Sequence, residues 1–218
     1  MVIGKTENDN SFNTLRYWQQ RVTEQGFDAV STIGDIDAIT IDEMSFLTAE
    51  IVKIYPEPVD LAIDFGAGWG RLLPVMMKTS KNQVLVDFVD DNERLWKRFY
   101  LPNNSCLFVV SSINNFHWKK LADYVLTSFS LLHILDDTEY RASVKNIVDS
   151  VRVGGHLFIY ESYNESGEVA SHCSSRNREQ FLEPFSICEI IKELNWRSNY
   201  QPYETDCHQP IKLFIFRR

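Results

Sequence analysis

The sequence predicts an α/β protein built around a parallel sheet. Three observations carry that expectation. Residues 61–65 are a short, mostly apolar run with an acid inside it, which reads as a strand buried on both faces. Gly66, Gly68 and Gly70 follow directly, alternating with Ala67 and Trp69, and Leu72, Val75 and Met76 then recur at helical spacing. Strand, glycine turn and helix in that order present backbone N–H groups and a helix N-terminus to a ligand. Further apolar runs alternate with helix-like stretches toward the end of the chain.

The bulk composition narrows the classes. The chain has 218 residues, the size of one α/β domain, and is 44% hydrophobic and 13% aromatic, enough for a substantial core. Lys and Arg number 22 against 30 Asp and Glu, a net charge of −8. That balance speaks against a broad surface tracking nucleic-acid phosphates. Cys106, Cys173, Cys188 and Cys207 are scattered, with no C-x-x-C pair. They read as reduced thiols of a cytoplasmic protein, not as a zinc site or a disulfide frame. No run approaches the ~20 apolar residues of a membrane span. Residues 1–10 are polar and lack the apolar core of a secretion signal.

The elements follow in order. Asp9, Asn10 and Ser11 offer a cap to a first helix on which Phe12, Leu15, Trp18 or Gln19, and Val22 share a face, and Gly26 ends it. Thr40-Ile41-Asp42-Glu43 has the form of a capping box. Met44, Leu47, Ile51 and Ile54 then give a second helix its apolar face, until Tyr55-Pro56-Glu57-Pro58 stops it. After the glycine turn, residues 84–89 read as the second strand, with Asp90 and Asp91 at its carboxyl end and a helix over 92–100. Residues 106–110 form the third strand, which ends in Ser111-Ser112-Ile113-Asn114. Val125 and Leu126 are the core of a fourth strand, and a helix over 138–150 follows its loop. Gly154-Gly155 makes a tight turn into a fifth strand ending at Glu161. Residues 162–178 are polar and irregular, a loop expected beside a substrate mouth. Phe181, Phe185, Cys188, Ile191 and Leu194 give a helix over 180–194, and 196–203 and 212–218 two closing strands.

The glycine spacing chooses between ligands. Dinucleotide folds use G-x-G-x-x-G. Here the spacing is G-x-G-x-G, with Asp64 two residues before Gly66. This resembles motif I of the class I S-adenosylmethionine (SAM) methyltransferases, D/E-x-G-x-G-x-G. The run Asp123-Tyr124-Val125-Leu126-Thr127-Ser128 through Leu132-His133-Ile134-Leu135-Asp136 is similar to that family's fourth strand and loop. Val153-Gly154-Gly155-His156-Leu157-Phe158-Ile159-Tyr160-Glu161 looks like its Gly-Gly turn and fifth strand. The resemblance spans 61–218 and implies a three-layer, Rossmann-like α/β fold with a seven-stranded sheet, a C-terminal β-hairpin and, over 1–58, a helical lid on one domain covering 1–218.

It also implies a site. Asp64, Gly66, Ala67, Gly68, Gly70 and Arg71 would wrap the amino-acid end of SAM, whose sulfonium and ammonium welcome an acid nearby. Asp90 stands where the family carries the acid that accepts both ribose hydroxyls, and Asp91 is one residue on. Backbone groups of Ser112 and Ile113 would read the adenine in place of the family's usual acid or amide. Ser128 and Phe129 would lie under the methionine and sulfonium, where an aromatic face favours a cation. Tyr17, Trp18 and Arg21 of the lid would approach the ligand. His133 is the candidate base, because a histidine titrates near neutrality. Glu161 and Tyr163 at the fifth strand's end are further catalytic candidates, and His172 is a weaker one.

The implied reaction is an SN2 displacement that leaves S-adenosylhomocysteine (SAH), helped mainly by holding nucleophile, methyl and sulfur in line. The sequence has no N/D-P-P-Y/F run after the fourth strand and no Pro-Cys pair, so with its acidic charge it points to a small organic acceptor. The glycine turn and His133 also resemble the protein α-N-terminal methyltransferases, which keeps a peptide or protein amine open as acceptor. A non-catalytic SAM-binding subunit and a nicotinamide dehydrogenase are the readings from other classes.

Overall fold

The computed structural model describes residues 14–25, 36–100, 105–164, 173–195 and 211–218. Two helices come first, α1 (Thr14–Gln25) and α2 (Ile36–Ile54). The sheet is then built from β1 (Val59–Phe65), β2 (Ser80–Asp87), β3 (Cys106–Val110), β4 (Ala122–Ser128), β5 (Val151–Ser162), β6 (Glu189–Asn195) and β7 (Ile211–Arg217). Between the strands lie α3 (Leu73–Thr79), α4 (Asp90–Phe99), α5 (Asp137–Asp149) and α6 (Arg178–Leu182). The strand order is β3-β2-β1-β4-β5-β7-β6, parallel except for β7, which runs antiparallel to both β5 and β6.

Alternation along each strand divides the core into two layers. Leu61, Ile63 and Phe65 of β1, Leu157 and Ile159 of β5, and Phe214 and Phe216 of β7 bury one face against Tyr140, Val144, Ile147 and Val148 of α5. Ala62, Leu85, Leu126, Phe158, Leu213 and Ile215 bury the other against Leu47 and Ile51 of α2 and Val75 and Met76 of α3. Both faces are covered by helices, which is why these strands read as near-continuous apolar runs. Each fully buried Phe or Leu contributes roughly 1.5–3 kcal/mol.

The chain moves from β1 outward to β3, then returns across β1 to β4. The crevice between the carboxyl ends of β1 and β4 is therefore the topological switch point, where open α/β sheets bind ligands.

Several elements differ from the sequence expectation. The second helix begins at Ile36, so Thr40 to Glu43 lie inside it and do not form a capping box. The second strand runs from Ser80 to Asp87, starting earlier and ending two residues sooner than expected, because α4 takes Asp90 as its first residue. Gly154, at φ 76°, sits within β5 and not in a turn before it. The step from Ala122 to Tyr124 on β4 is matched by one from Val151 to His156, so the glycines occupy a bulge in a continuous strand. A Cβ on Gly155 would stand 2.6 Å from the Asp123 carbonyl oxygen, which is why glycine is needed there.

The helix expected over 180–194 is absent. Phe181 and Phe185 are buried from α6 and the single 3-10 turn Glu183–Phe185, where Pro184 interrupts the helix. Residues beyond Cys188 are instead the edge strand β6, pairing Ile190 with Phe216 and Lys192 with Ile215. β-branched Ile190 and Ile191 suit that strand, and both are partly exposed on it. The strand expected at 196–203 lies outside the described residues, as do His172, Cys207, Gly26 and the cap at 9–11. Cys106 and Cys188 are free thiols, but Cys173 is disulfide-bonded, against the expectation of four reduced cysteines. No helix among the described residues is long and apolar enough to cross a membrane.

Candidate functional site

The glycine turn leaves β1 with Gly66, Gly68 and Gly70 at φ 71°, 54° and 89°, values that L side chains rarely adopt. The amides of Gly66 and Ala67 donate to the Val86 carbonyl at 2.8 and 3.0 Å. Gly68 N–H donates to Asp87 Oδ2 at 2.9 Å. The other oxygen of Asp87 accepts from Val89 N–H at 2.9 Å and Asn92 Nδ2 at 3.1 Å. Asp87 thus ties the turn to the start of α4. It had no role in the sequence reading, which carried β2 past it; the signal was an acid within an otherwise apolar strand.

Asp90 is exposed at the first position of α4, close to the carboxyl end of β2. Asp91 is already engaged, accepting from Arg94 at 2.9 Å and from Thr23 of α1 at 3.5 Å. Ser112 and Ile113 follow the end of β3, where the Ser112 hydroxyl donates to Asn114 Oδ1 at 2.7 Å and the Ile113 carbonyl accepts from Asn146 Nδ2 at 2.6 Å.

Asp64 lies beneath the turn, 1% exposed, and its Oδ1 has no hydrogen-bond partner among the described residues. Burial, and then the neighbouring Asp87 carboxylate, push its pKa well above the usual carboxylate range. A buried carboxyl oxygen without a partner is costly alone and favourable beside a cation. An ammonium or sulfonium fits that requirement.

Across the crevice, β4 ends in Ser128, and Phe129 takes φ 51° with its ring edge-on to Tyr160 at 5.1 Å. Positive φ at a phenylalanine is held against local preference. The brace is Glu161 of β5. Its Oε1 accepts from the amides of Ser130 at 2.6 Å and Leu131 at 2.9 Å, and from Thr127 Oγ1 at 3.4 Å. Glu161 is fully buried, so it supports the loop from behind and does not face an acceptor. Tyr163 is likewise buried, among Phe181 and Phe214, with the Lys212 ammonium 5.3 Å over its ring. Both were expected beside His133 as catalytic groups; both are buried, Glu161 on the amides of the β4 loop and Tyr163 among Phe181 and Phe214.

Burial raises the Glu161 pKa from 4.5 to about 7, partly opposed by the amides it accepts from. The fold therefore favours the protonated acid. Stability is greatest below pH 4.5 with respect to this group and falls as pH rises toward 7. Glu161→Gln, which keeps an accepting oxygen, should remove roughly 3 kcal/mol of that decline. Urea unfolding from pH 4 to 8 checks it; unchanged slopes would contradict the assignment.

Helix α1 packs against the same crevice. His133 ends the 3-10 turn Leu131–His133 just after the braced loop, and the Trp18 indole meets its ring edge-on at 4.7 Å. Arg21 donates to the Tyr17 hydroxyl at 2.7 Å and stacks 5.8 Å from both the Tyr17 and Trp18 rings. Val22 packs with Val89 and Leu95, and Trp18 and Trp69 join that cluster. α1 thereby spans from the glycine turn to His133. Arg71 closes the turn with an ion pair to Glu43 of α2 and a 3.1 Å bond to Ser128 Oγ. The structure thus brings together Trp18, His133, Phe129, Ser128, Arg71 and the glycine turn around one crevice.

Comparison with known proteins agrees with this architecture. No family model matches the chain. A phosphoethanolamine N-methyltransferase of Triticum aestivum is 24% identical over 198 residues, covering 88% of this chain and 37% of the relative. The chain thus spans about a third of the length of the curated relatives it matches. The N-methyltransferase NodS of Bradyrhizobium japonicum, solved with SAH, superposes with a TM-score of 0.73 at 16% identity, covering 95% of this chain and 99% of that one. Magnesium protoporphyrin IX methyltransferase of Synechocystis, solved with SAM, gives a TM-score of 0.68 at 12% identity, covering 96% and 99%. The chain has the fold of the class I SAM-dependent methyltransferases, with a sequence similar to the phosphoethanolamine N-methyltransferases.

Proposed function

We propose that this chain transfers a methyl group from SAM to a nucleophilic nitrogen or oxygen of a small organic molecule, with an amine as the favoured acceptor. The observation that carries the reading is Asp64: a sealed carboxyl with an oxygen lacking a partner, under a glycine turn at the switch point. Bound there, SAM supplies a methyl group on an electrophilic sulfonium. Asp64 meets the cationic part of its amino-acid end, and Arg71 the carboxylate. Asp90 accepts the ribose hydroxyls, and Ser112 and Ile113 flank the adenine. Ser128 and Phe129 support the methionine portion. Trp18 and Arg21 close over it, and His133 takes the proton from the acceptor. The amine is favoured by the wheat relative and by the neighbour from Bradyrhizobium, both N-methyltransferases by name.

Screening small amines, phenols, carboxylates and short peptides for SAH release tests the reaction. Release with small amines is expected. Turnover confined to peptides would move the acceptor to a protein N-terminus.

The ribose assignment has its own check. Asp90→Ala should weaken SAH binding by roughly 1.5–3 kcal/mol, the range for hydrogen bonds to a charged group. Asp91→Ala should do far less, because that carboxylate already pairs with Arg94 on the helix surface. Titration calorimetry reads both, and a reversed order would contradict the register.

A further inference from the structure

Glu43 is 1% exposed on α2, outside the strands and turns that carry the cofactor residues assigned above. One of its oxygens pairs with Arg71 Nη1, and the other accepts from Ser128 Oγ at 3.3 Å. Arg71 Nη2 donates to the same hydroxyl at 3.1 Å. Three side chains from α2, the glycine turn and the end of β4 thus close one network at the crevice. Four residues along α2, Leu47 is fully buried on the sheet, and Ile51 one turn further is too. The backbone that carries Glu43 is therefore fixed.

We propose that Glu43 is a positioning residue for the cofactor: it aims the Arg71 guanidinium at the carboxylate of the bound SAM. The assignment rests on the SAM reading above and deepens it. A buried guanidinium must be neutralised and oriented, and a carboxylate gripping one arm does both. The guanidinium fork has five N–H donors in fixed geometry, so fixing one arm fixes the direction of the rest. Ser128 fixes the second arm. The consequence reaches beyond the site. Docking of α2 and recognition of the amino-acid end of the cofactor become one event, because the same ion pair serves both.

The test uses two ligands that differ only in the amino-acid end. SAH carries it, and 5′-methylthioadenosine keeps the nucleoside and sulfur without it. Titration calorimetry on wild type should find both binding. Glu43→Gln should weaken SAH about 10-fold or more, with 5′-methylthioadenosine changed less than about twofold. In an Arg71→Met background, Glu43→Gln should have no further effect on SAH, since it acts through Arg71. Glu43→Asp, which keeps the charge on a shorter arm, should lie between and serves the same comparison if the glutamine variant does not fold. Equal losses for the two ligands, tighter SAH binding, or an undiminished effect without Arg71 would each overturn the assignment. Failure of wild type to bind either ligand would overturn the cofactor reading itself.

Discussion

Replacing His133 by alanine is expected to lower turnover of an amine substrate by ~10²–10⁴-fold, the scale of acid–base help. SAH affinity should change little. The ring sits after the loop braced by Glu161, edge-on to Trp18, at the ligand end of β4. Its backbone amide donates to the Ser130 carbonyl at 3.3 Å, so truncating the side chain leaves the turn's own bond intact. An amine acceptor is protonated near neutrality and cannot attack until it loses that proton. The gap between wild type and variant should therefore be widest near neutral pH and narrow as rising pH supplies the free amine without a base. An acceptor that is already an anion needs no base and should keep most of its rate in the variant. Trp18→Ala is the contrasting change. It removes the ring against His133 and should raise the acceptor KM as well. Near-wild-type turnover of a protonated amine by His133→Ala would remove the histidine from the mechanism.

Gly66→Ala is expected to destabilise the fold by roughly 3 kcal/mol and to abolish measurable SAH binding. A Cβ there would stand 1.9 Å from Ser130 Oγ and 2.4 Å from Ser130 Cβ, and the residue is already at φ 71°. Ser130 has little freedom to retreat. Its amide is held by Glu161 at 2.6 Å, and its hydroxyl lies 3.3 Å from both the Phe65 and Gly66 carbonyls. The two lips of the crevice, from β1 and from β4, touch at this point. Pushing them apart moves the glycine turn relative to Ser128 and Phe129. Ser130→Gly introduced with Gly66→Ala should recover part of the stability, because it removes the atoms in collision. Denaturant unfolding and SAH titration read both effects. A Gly66→Ala protein as stable as wild type that still binds SAH would contradict the geometry.

The elements that the sequence announced are those whose signal is local. β3 stands at the residues its apolar run marks, and the glycine turn follows β1 as its spacing requires. Leu47 and Ile51 lie on the buried face of α2. The misreadings came where a long-range contact decides. Phe181, Phe185 and Ile191 share helical spacing, yet Ile191 is on an edge strand, at the irregularity between Ile190 and Lys192, which pair with Phe216 and Ile215 of β7. Gly154-Gly155 reads as a turn in isolation, but pairing with β4 and β7 holds it in a bulge. At the crevice, the glycine turn was legible, and so was the place of His133 just after β4. Glu43 was not, because an acid near a helix start suggests a cap until the helix is seen to begin earlier. Glu161 was legible as an acid at a strand end, but only the sheet shows that it points inward to amides of the β4 loop.

The most direct test is the melting temperature of ligand-free protein with added SAH. At ~100 times its dissociation constant, a ligand that binds only the native state stabilises it by roughly 2.7 kcal/mol. For a chain of this size that is a rise of about 5–10 °C. That rise is expected with SAH and with SAM, and none with NAD at the same concentration. No shift with either SAM or SAH, in protein freed of co-purified ligand, would contradict it.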